Sequence, residues 1–555
     1  MKKIFSTLMV LVMVTMLFSG CGKKESPVNN QKDNPSNTAT PNNDVTSDAE
    51  IVDGKFVEKR QITVEIFDRG NDGGSKPEDN FFTDYIKEGM LRDHNVEVVF
   101  KPVPRWTEVE QINNLLAAGD APDICVTYDY PTIQTYANMG GVVDMGPHLE
   151  EYKSMLPDLW DWLTDENIYF NQDPENGTIW AIEARLANLA RLGTFVRKDW
   201  LDKLNIPEPT TLQEFDAMLV AFKENAELLL GAEANMISPF SISFDVGWRA
   251  DHLLQSFIPS TITDKDHYVY GFDDRNLLKP GIKEGVSVLN DWYNRGLIWK
   301  DFPLYGSGDT TEDNLMKAGY VGAFIHNWDY PYRNGEDSIN NSLKRLVSEE
   351  AGYVAIAPFP NDAGLYTKYR GAPVDRKVFF PITNKEPLAS LLYLNWISKF
   401  ENRSFLQIGE EGVHHEVTAD GAIKKLAATG EKIMNAPDNI DYTITINGLD
   451  IGDEELNIKS MALSYVNVDA DIIKQAYEYS IRDNVTIKNY NLGEITSEAS
   501  MGPALSDKRN TLLTQSVVAD KGKFDQVFDS GLKDYLSSGG QAIIDERNTA
   551  FENNQ

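Results

Sequence analysis

The side chains here that could take part in chemistry are carboxylates, a few histidines and many aromatic rings. Glycoside hydrolysis needs two positioned carboxylates roughly 5–10 Å apart. With 85 Asp and Glu residues, neighbours such as Asp264/Asp266, Asp273/Asp274 and Glu410/Glu411 arise by chance and single out nothing. The sequence holds no Gly-x-Ser-x-Gly elbow and no His-Glu-x-x-His pair. His414-His415-Glu416, near Glu411, is the densest metal-like cluster, but its spacing fits none of the zinc patterns. No catalytic group, metal or cofactor is therefore expected. Rings set beside charged groups in loop-like, polar settings are candidates for recognition. Tyr128-Asp129-Tyr130 follows a strand end and precedes Pro131, and Trp248-Arg249 follows Gly247. Asn327-Trp328-Asp329 follows the apolar run Val321 to Ile325, and Asp68-Arg69 closes an earlier alternating run. A ring offers a flat apolar face and a charged partner strengthens a hydrogen bond. Most of the 58 aromatic residues must nevertheless be core.

The elements that would position these groups begin near residue 60. Gln61 to Phe67 alternates with period two, Phe81 to Arg92 has helical spacing, and Val96 to Phe100 reads as a second strand. Val109 to Ala118, closed by Gly119, reads as a helix before a third strand, Asp123 to Tyr128. Strand, helix, strand, helix, strand implies a parallel sheet with right-handed crossovers. Ligands of such sheets sit outside the carboxyl ends of the strands, which points at Asp68, Arg69, Tyr128, Asp129 and Tyr130. A chain of 555 residues exceeds one hydrophobic core and is expected to divide into lobes. Its net charge of −33 argues against nucleic acid as a partner. Screening over about 8 Å still allows a local arginine cluster to hold an anion. Cys125, inside the apolar Ile-Cys-Val, reads as a small buried hydrophobe.

Lys2 and Lys3 precede an apolar run from Ile4 to Phe18, with Ser19-Gly20 ahead of Cys21. That run is shorter than the roughly 20 residues a spanning helix takes and has the layout of an export signal, 1–20. Leu17-Phe-Ser-Gly-Cys21 resembles the lipobox of bacterial lipoproteins, which implies lipidation of Cys21. Residues 21–59, mostly Asn, Ser, Pro, Thr and Asp at first, are expected to form a flexible linker. Further along, Asn114-Leu-Leu-Ala-Ala-Gly-Asp-Ala-Pro-Asp-Ile124 resembles the helix–turn–strand element of extracellular solute-binding proteins of bacterial ABC importers. Gly177 to Ile182 is similar to their first crossing between lobes. Phe195 to Asn205 with Pro209-Thr-Thr-Leu-Gln-Glu-Phe215, Asn314 to Ala323, and Gly409 to His415 are similar to later segments of the same family, in order.

The resemblance implies an α/β fold, the two-lobed periplasmic-binding-protein-like fold of type II, with hinge crossings. The expected lobes are 60–183 with 318–385, and 184–317 with 386–555. Trp180 would sit at a crossing, where it is equally suited to packing. It implies capture of an oligosaccharide or other carbohydrate between the lobes and delivery to ABC permease subunits, by a monomer lipid-anchored outside the cell membrane. Trp248 and Trp328 would stack on sugar faces, while Asp129, Asp329, Arg69 and Arg249 would bond hydroxyls. Relatives that bind acidic polysaccharide fragments often carry a calcium loop after the Pro-Thr-Glu-Phe helix. Lys223 to Asn235 lacks its alternating oxygen ligands and turn glycine, so no structural calcium is expected. Two other readings remain open: an exported glycan-active hydrolase, and a peptide-binding or sensor protein on the same fold.

Overall fold

The computed structural model describes residues 50–70, 76–174, 176–273, 275–306, 309–493 and 495–553. The expected export signal, Cys21 and most of the linker lie outside them. Order begins earlier than expected, because the linker's last ten residues are folded. Ile51–Val52 and Lys55–Phe56 pair as a small hairpin. Its Phe56 ring is buried, while the Lys55 ammonium donates to Arg92 O. One large ring close to an apolar core is enough to end a flexible segment.

The expected strand–helix–strand–helix–strand unit is present. Its elements are the Arg60–Asp68 strand, the Phe81–His94 helix, the Val96–Pro104 strand, the Glu108–Ala118 helix and the Cys125–Thr127 strand. The first two strands run parallel over nine residue pairs, Arg60 against Val96 through Asp68 against Pro104. Val64 bridges Ile124 in the same sense. Local chemistry fixes the helix ends. The Asn80 side chain accepts from the Phe82 and Thr83 amides while Thr83 Oγ1 accepts from Asn80 N, a reciprocal cap. Gly119, at φ +72°, closes the next helix in a left-handed conformation. Farther on, Thr211 Oγ1 accepts from Glu214 N and Glu214 accepts from Thr210 N, which caps the Leu212–Glu224 helix.

Two apolar cores define two lobes, which touch closely enough to form one compact unit. The first core gathers Phe56 to Ile182, Val378 to Leu406, and Tyr442 to Ile446. A four-stranded sheet beside it has the order 446–447, 182–186, 374–379, 125–127. The 374–379 strand runs antiparallel to both its neighbours. The second core surrounds a sheet ordered 353–356, 192–197, 321–327, 238–241. The helices Thr496–Val517, Phe524–Tyr535 and Gln541–Asn553 pack onto it. Asn290 secures them by donating to the carbonyls of Ser516, Val517 and Ala519.

This pairing differs from the expected division at two places. The Val321–Asn327 strand, expected in the first lobe, pairs with 192–197 and 238–241 of the second. Val321 to Ile325 is buried throughout, which requires a central position with neighbours on both sides. The Pro387–Ser398 helix, expected in the second lobe, belongs to the first core. Ten consecutive residues of it, Ala389 to Ser398, are buried, so it needs cover all round. The chain passes between lobes at 187–191, 371–373 and just after 446–447. Backbone bonds from Leu186 N to Pro373 O (2.8 Å) and Ala187 N to Asn447 O (2.9 Å) tie these passages side by side.

Candidate functional site

Strand ends form the first lobe's wall, as the parallel topology requires. Asp68 accepts from Gly70 N (2.8 Å) and shapes its own turn. Arg69 makes a two-pronged pair with Asp441, at 2.7 and 2.8 Å. That carboxylate is fully buried and also accepts from Asn435, so Arg69 braces the 435–441 segment. Tyr128 lies under the Arg105 guanidinium at 4.1 Å and stacks on Phe67. Asp129 caps the Tyr130–Asn138 helix, accepting from Thr132 N (3.0 Å) and Oγ1 (2.6 Å). Trp180 is half-buried against a small cluster containing Cys125, whose thiol is buried and pushed up by desolvation. One ring escaped the sequence reading. Trp106, just past the 96–104 strand, is 75 % exposed at the same edge of the sheet.

The structure does not bring the second lobe's expected residues onto a wall. Arg249 is buried, pairing with both oxygens of Glu312 at 2.5 and 2.8 Å and donating to Ile325 O. Its donors are consumed inside the lobe, which corrects its expected role toward hydroxyls. Trp328 is only 6 % exposed and packs edge-on against Tyr465 and Tyr477. An indole enclosed in this way cannot serve as a platform. Asp329 accepts from Tyr465 Oη (3.0 Å) and pairs with Arg333. Trp248 is half-buried, with the guanidinium carbons of Arg191 and Arg275 at 4.7 and 5.0 Å from its ring centre.

A cavity of about 680 Å³ lies between the lobes. Asp129, Tyr130, Thr132 and Asn171 line it from the first lobe, and Tyr268, Phe272, Tyr490, Arg509 and Arg547 from the second. Of the residues expected to bind, Asp129 and Tyr130 reach this space. The opposing wall is built from residues 268–273 and the C-terminal helices, which the sequence reading left without a role. Arg547 lies over Tyr268 at 4.9 Å and bonds Glu498 (2.8 Å). Arg509 donates to Asp273 (2.8 Å), which also accepts from Tyr535 Oη (3.2 Å). Beneath the first lobe's wall, Asn171 donates to Glu183 (2.6 Å). Burial pushes that carboxyl up to about 7, against the pull of Lys377 at 3.7 Å. Across the cavity's edge the Asn491 amide donates to Gln172 O (2.5 Å), joining the two walls.

Each charge lining the cavity thus has a partner, and the wall offers rings and hydrogen-bonding groups from both sides. Among the described residues, no three His, Cys, Asp or Glu side chains gather as metal ligands.

Three comparisons bear on this arrangement. The polygalacturonan/rhamnogalacturonan-binding protein YtcQ of Bacillus subtilis (strain 168) is 22 % identical over 479 residues, covering 82 % of this chain and 86 % of that one. Lipoprotein LipO of the same organism is 29 % identical over 227 residues, 40 % and 42 % of the two chains. The solved structure of the S. pneumoniae ABC-transporter substrate-binding protein FusA in complex with kestose shares the fold. Its TM-score is 0.61 at 14 % identity, with 89 % of this chain and 100 % of that one covered. The model of the bacterial extracellular solute-binding protein family matches residues 86–397, more than half of the sequence, and the chain belongs to that family.

Proposed function

We propose that this protein captures a short oligosaccharide between its lobes and hands it, chemically unchanged, to the permease subunits of an ABC importer. The observation that carries the reading is the cavity of about 680 Å³ walled by Tyr130 from one side and Tyr268 and Tyr490 from the other. That volume lies in the usual range for small-ligand sites. Sugar rings present apolar faces and rims of hydroxyls, which suit tyrosine faces set among amides and charged groups. The relatives named for polygalacturonan/rhamnogalacturonan binding and solved with kestose support a carbohydrate.

The carboxylates support binding rather than hydrolysis. Asp129 is held by a helix end, Asp273 by Arg509 and Tyr535, and Glu498 by Arg547. Each is thus engaged within the protein, whereas a general acid and base must reach the bond to be cut. We take the first lobe as residues 50–186 with 374–446 and the second as 192–370 with 448–553, closing about the three passages. The lipobox-like Leu17 to Cys21 supports anchoring of a monomer outside the cell membrane through lipid on Cys21.

The test is a thermal-shift and calorimetry screen of the intact protein against neutral and acidic plant and microbial oligosaccharides, with mass analysis of the recovered ligand. The expected result is a raised Tm with at least one glycan, which is recovered uncut. Loss of tightness by about tenfold or more is expected in Tyr268→Ala and Tyr490→Ala. Stabilisation by peptides but by no glycan, or release of reducing ends, would overturn the reading.

A further inference from the structure

On the cavity's first wall the hydroxyl protons are already committed inside the protein. Thr132 Oγ1 donates its one proton to Asp129 Oδ2 (2.6 Å), and Thr135 Oγ1 donates its own to the Pro131 carbonyl (2.8 Å). Both threonines line the cavity, and each hydroxyl is left with lone pairs alone. Asp129, also on the wall, holds the Thr132 amide and hydroxyl with Oδ2. Its Oδ1 has no partner among the described residues and adds a charged acceptor.

Asn171 joins this row through a residue behind the wall. Its Nδ2 donates to Glu183 Oε1 (2.6 Å), so the carbonyl end of the amide is the one left for the cavity. Glu183 is buried, and its other oxygen, Oε2, faces Lys377 Nζ at 3.7 Å without a hydrogen bond. The other ionisable groups near it among the described residues are Asp375, from the Lys377 strand, and Tyr130, from the helix that Asp129 caps. A proton on Oε2 would point at the ammonium, so the neutral carboxyl carries its proton on Oε1. There it is offered to Asn171, whose amide must then turn its carbonyl inward and its nitrogen toward the cavity.

The Tyr130 hydroxyl and the amides of Asn113 and Gln134, on the same wall, can donate or accept. The groups whose direction is fixed all accept. A sugar hydroxyl brings one proton to such a row, whereas a carboxylate, an ether or an acyl carbonyl would set lone pairs against lone pairs. A site built to bond a hydroxyl rejects an analogue without it, because its own polar groups are then left unpaired.

We propose that the first wall is an acceptor face selecting unblocked sugar hydroxyls, and that Glu183 is the positioning residue that makes Asn171 part of it. The inference rests on the oligosaccharide reading above and adds which groups of the glycan must be free. The hydroxyls that meet Asp129 and Asn171 carry no acyl or ether substituent, and any carboxylate of the glycan lies away from this wall.

The experiment is calorimetry of the intact protein with kestose, cellotriose, galactotriose and trigalacturonate, each beside derivatives in which fluorine or an amine replaces one hydroxyl. Fluorine keeps the size of a hydroxyl but has no proton. It should weaken binding about tenfold or more at the positions that meet this wall, and an amine there should restore it. Glu183 is ionised well above about pH 7 and neutral well below it, so one fluorine penalty should shrink on acidification as Asn171 turns. In Glu183→Gln the new amide's oxygen is drawn to Lys377 and its nitrogen faces Asn171, so that smaller penalty should appear at both pH values. Asn171→Ala should abolish the same penalty while Tm holds. An absence of fluorine penalties, or an amine binding as poorly as fluorine wherever fluorine weakens, would overturn the acceptor face. Penalties indifferent to pH and to Glu183→Gln would overturn the role of Glu183. Either result leaves the oligosaccharide reading standing, whereas failure of every parent glycan here and in the wider screen would remove both.

Discussion

At Glu183 a buried carboxyl faces Lys377 at 3.7 Å and the Asn171 amide, with one oxygen lacking a hydrogen-bond partner. Its folded value of about 7 lies above the roughly 4.3 of an unfolded chain, so the folded state favours the protonated form. The sign follows: this contribution is fully present below about pH 4.3 and is lost as pH rises through about 7. Thermal unfolding followed between those pH values should show a downward slope that Glu183→Gln flattens, and an unchanged slope would refute the assignment. Arg249 gives a second residue-scale expectation. Removing one partner of its buried pair with Glu312 strands the other charge, so Arg249→Ala should cost about 3–5 kcal/mol in denaturant unfolding. Trp328→Ala should cost a similar amount, about 3–5 kcal/mol, as loss of a core ring. Both residues looked like binding groups in sequence because a ring beside a charge at a strand end has one local signature whether it faces solvent or core. Asp129 and Tyr130 were legible because the carboxyl end of a parallel strand places them outward whatever packs beneath.

Among elements, the alternation of Gln61 to Phe67 and the helix stop at Gly119 were readable since each depends on a few adjacent residues. Partner choice was not. Nothing within Val321 to Ile325 says which sheet completes its hydrogen bonds, and nothing within the wholly apolar Pro387–Ser398 helix says which core covers it. The second lobe's wall of the cavity was also hidden, since its rings and arginines are scattered between residues 268 and 547 and converge only through folding. The C-terminal helices are held partly by Asn290, whose amide serves three carbonyls. Asn290→Ala should remove the side-chain donor that ties these carbonyls to the Ile282–Asn294 helix and cost about 1–3 kcal/mol. Amide exchange should then accelerate in the Thr496–Val517 helix before the first lobe's strands, and uniform acceleration would count against this anchoring role.

For the whole molecule, the three passages are the only covalent routes between lobes within the described residues, and backbone bonds hold them side by side. Gly448, at φ +107°, sits where an added Cβ would lie 3.1 Å from Asn188 N of the first passage. Gly448→Ala should strain closure by about 1–3 kcal/mol, raising Kd for a bound glycan while each lobe keeps its fold. Small-angle scattering of the saturated variant should remain more extended than the parent protein. The two-lobed plan was legible from length and ordered segments, whereas the route of the chain between lobes was not, because it is set by strand pairing at long range.

The bond from Asn491 to Gln172 has a consequence for biogenesis. One wall of the cavity is supplied by residues near 490–547, which leave the ribosome after the 113–171 wall that they face. Until that later segment has emerged and docked, the cavity proposed to hold the ligand would have only one of its two walls.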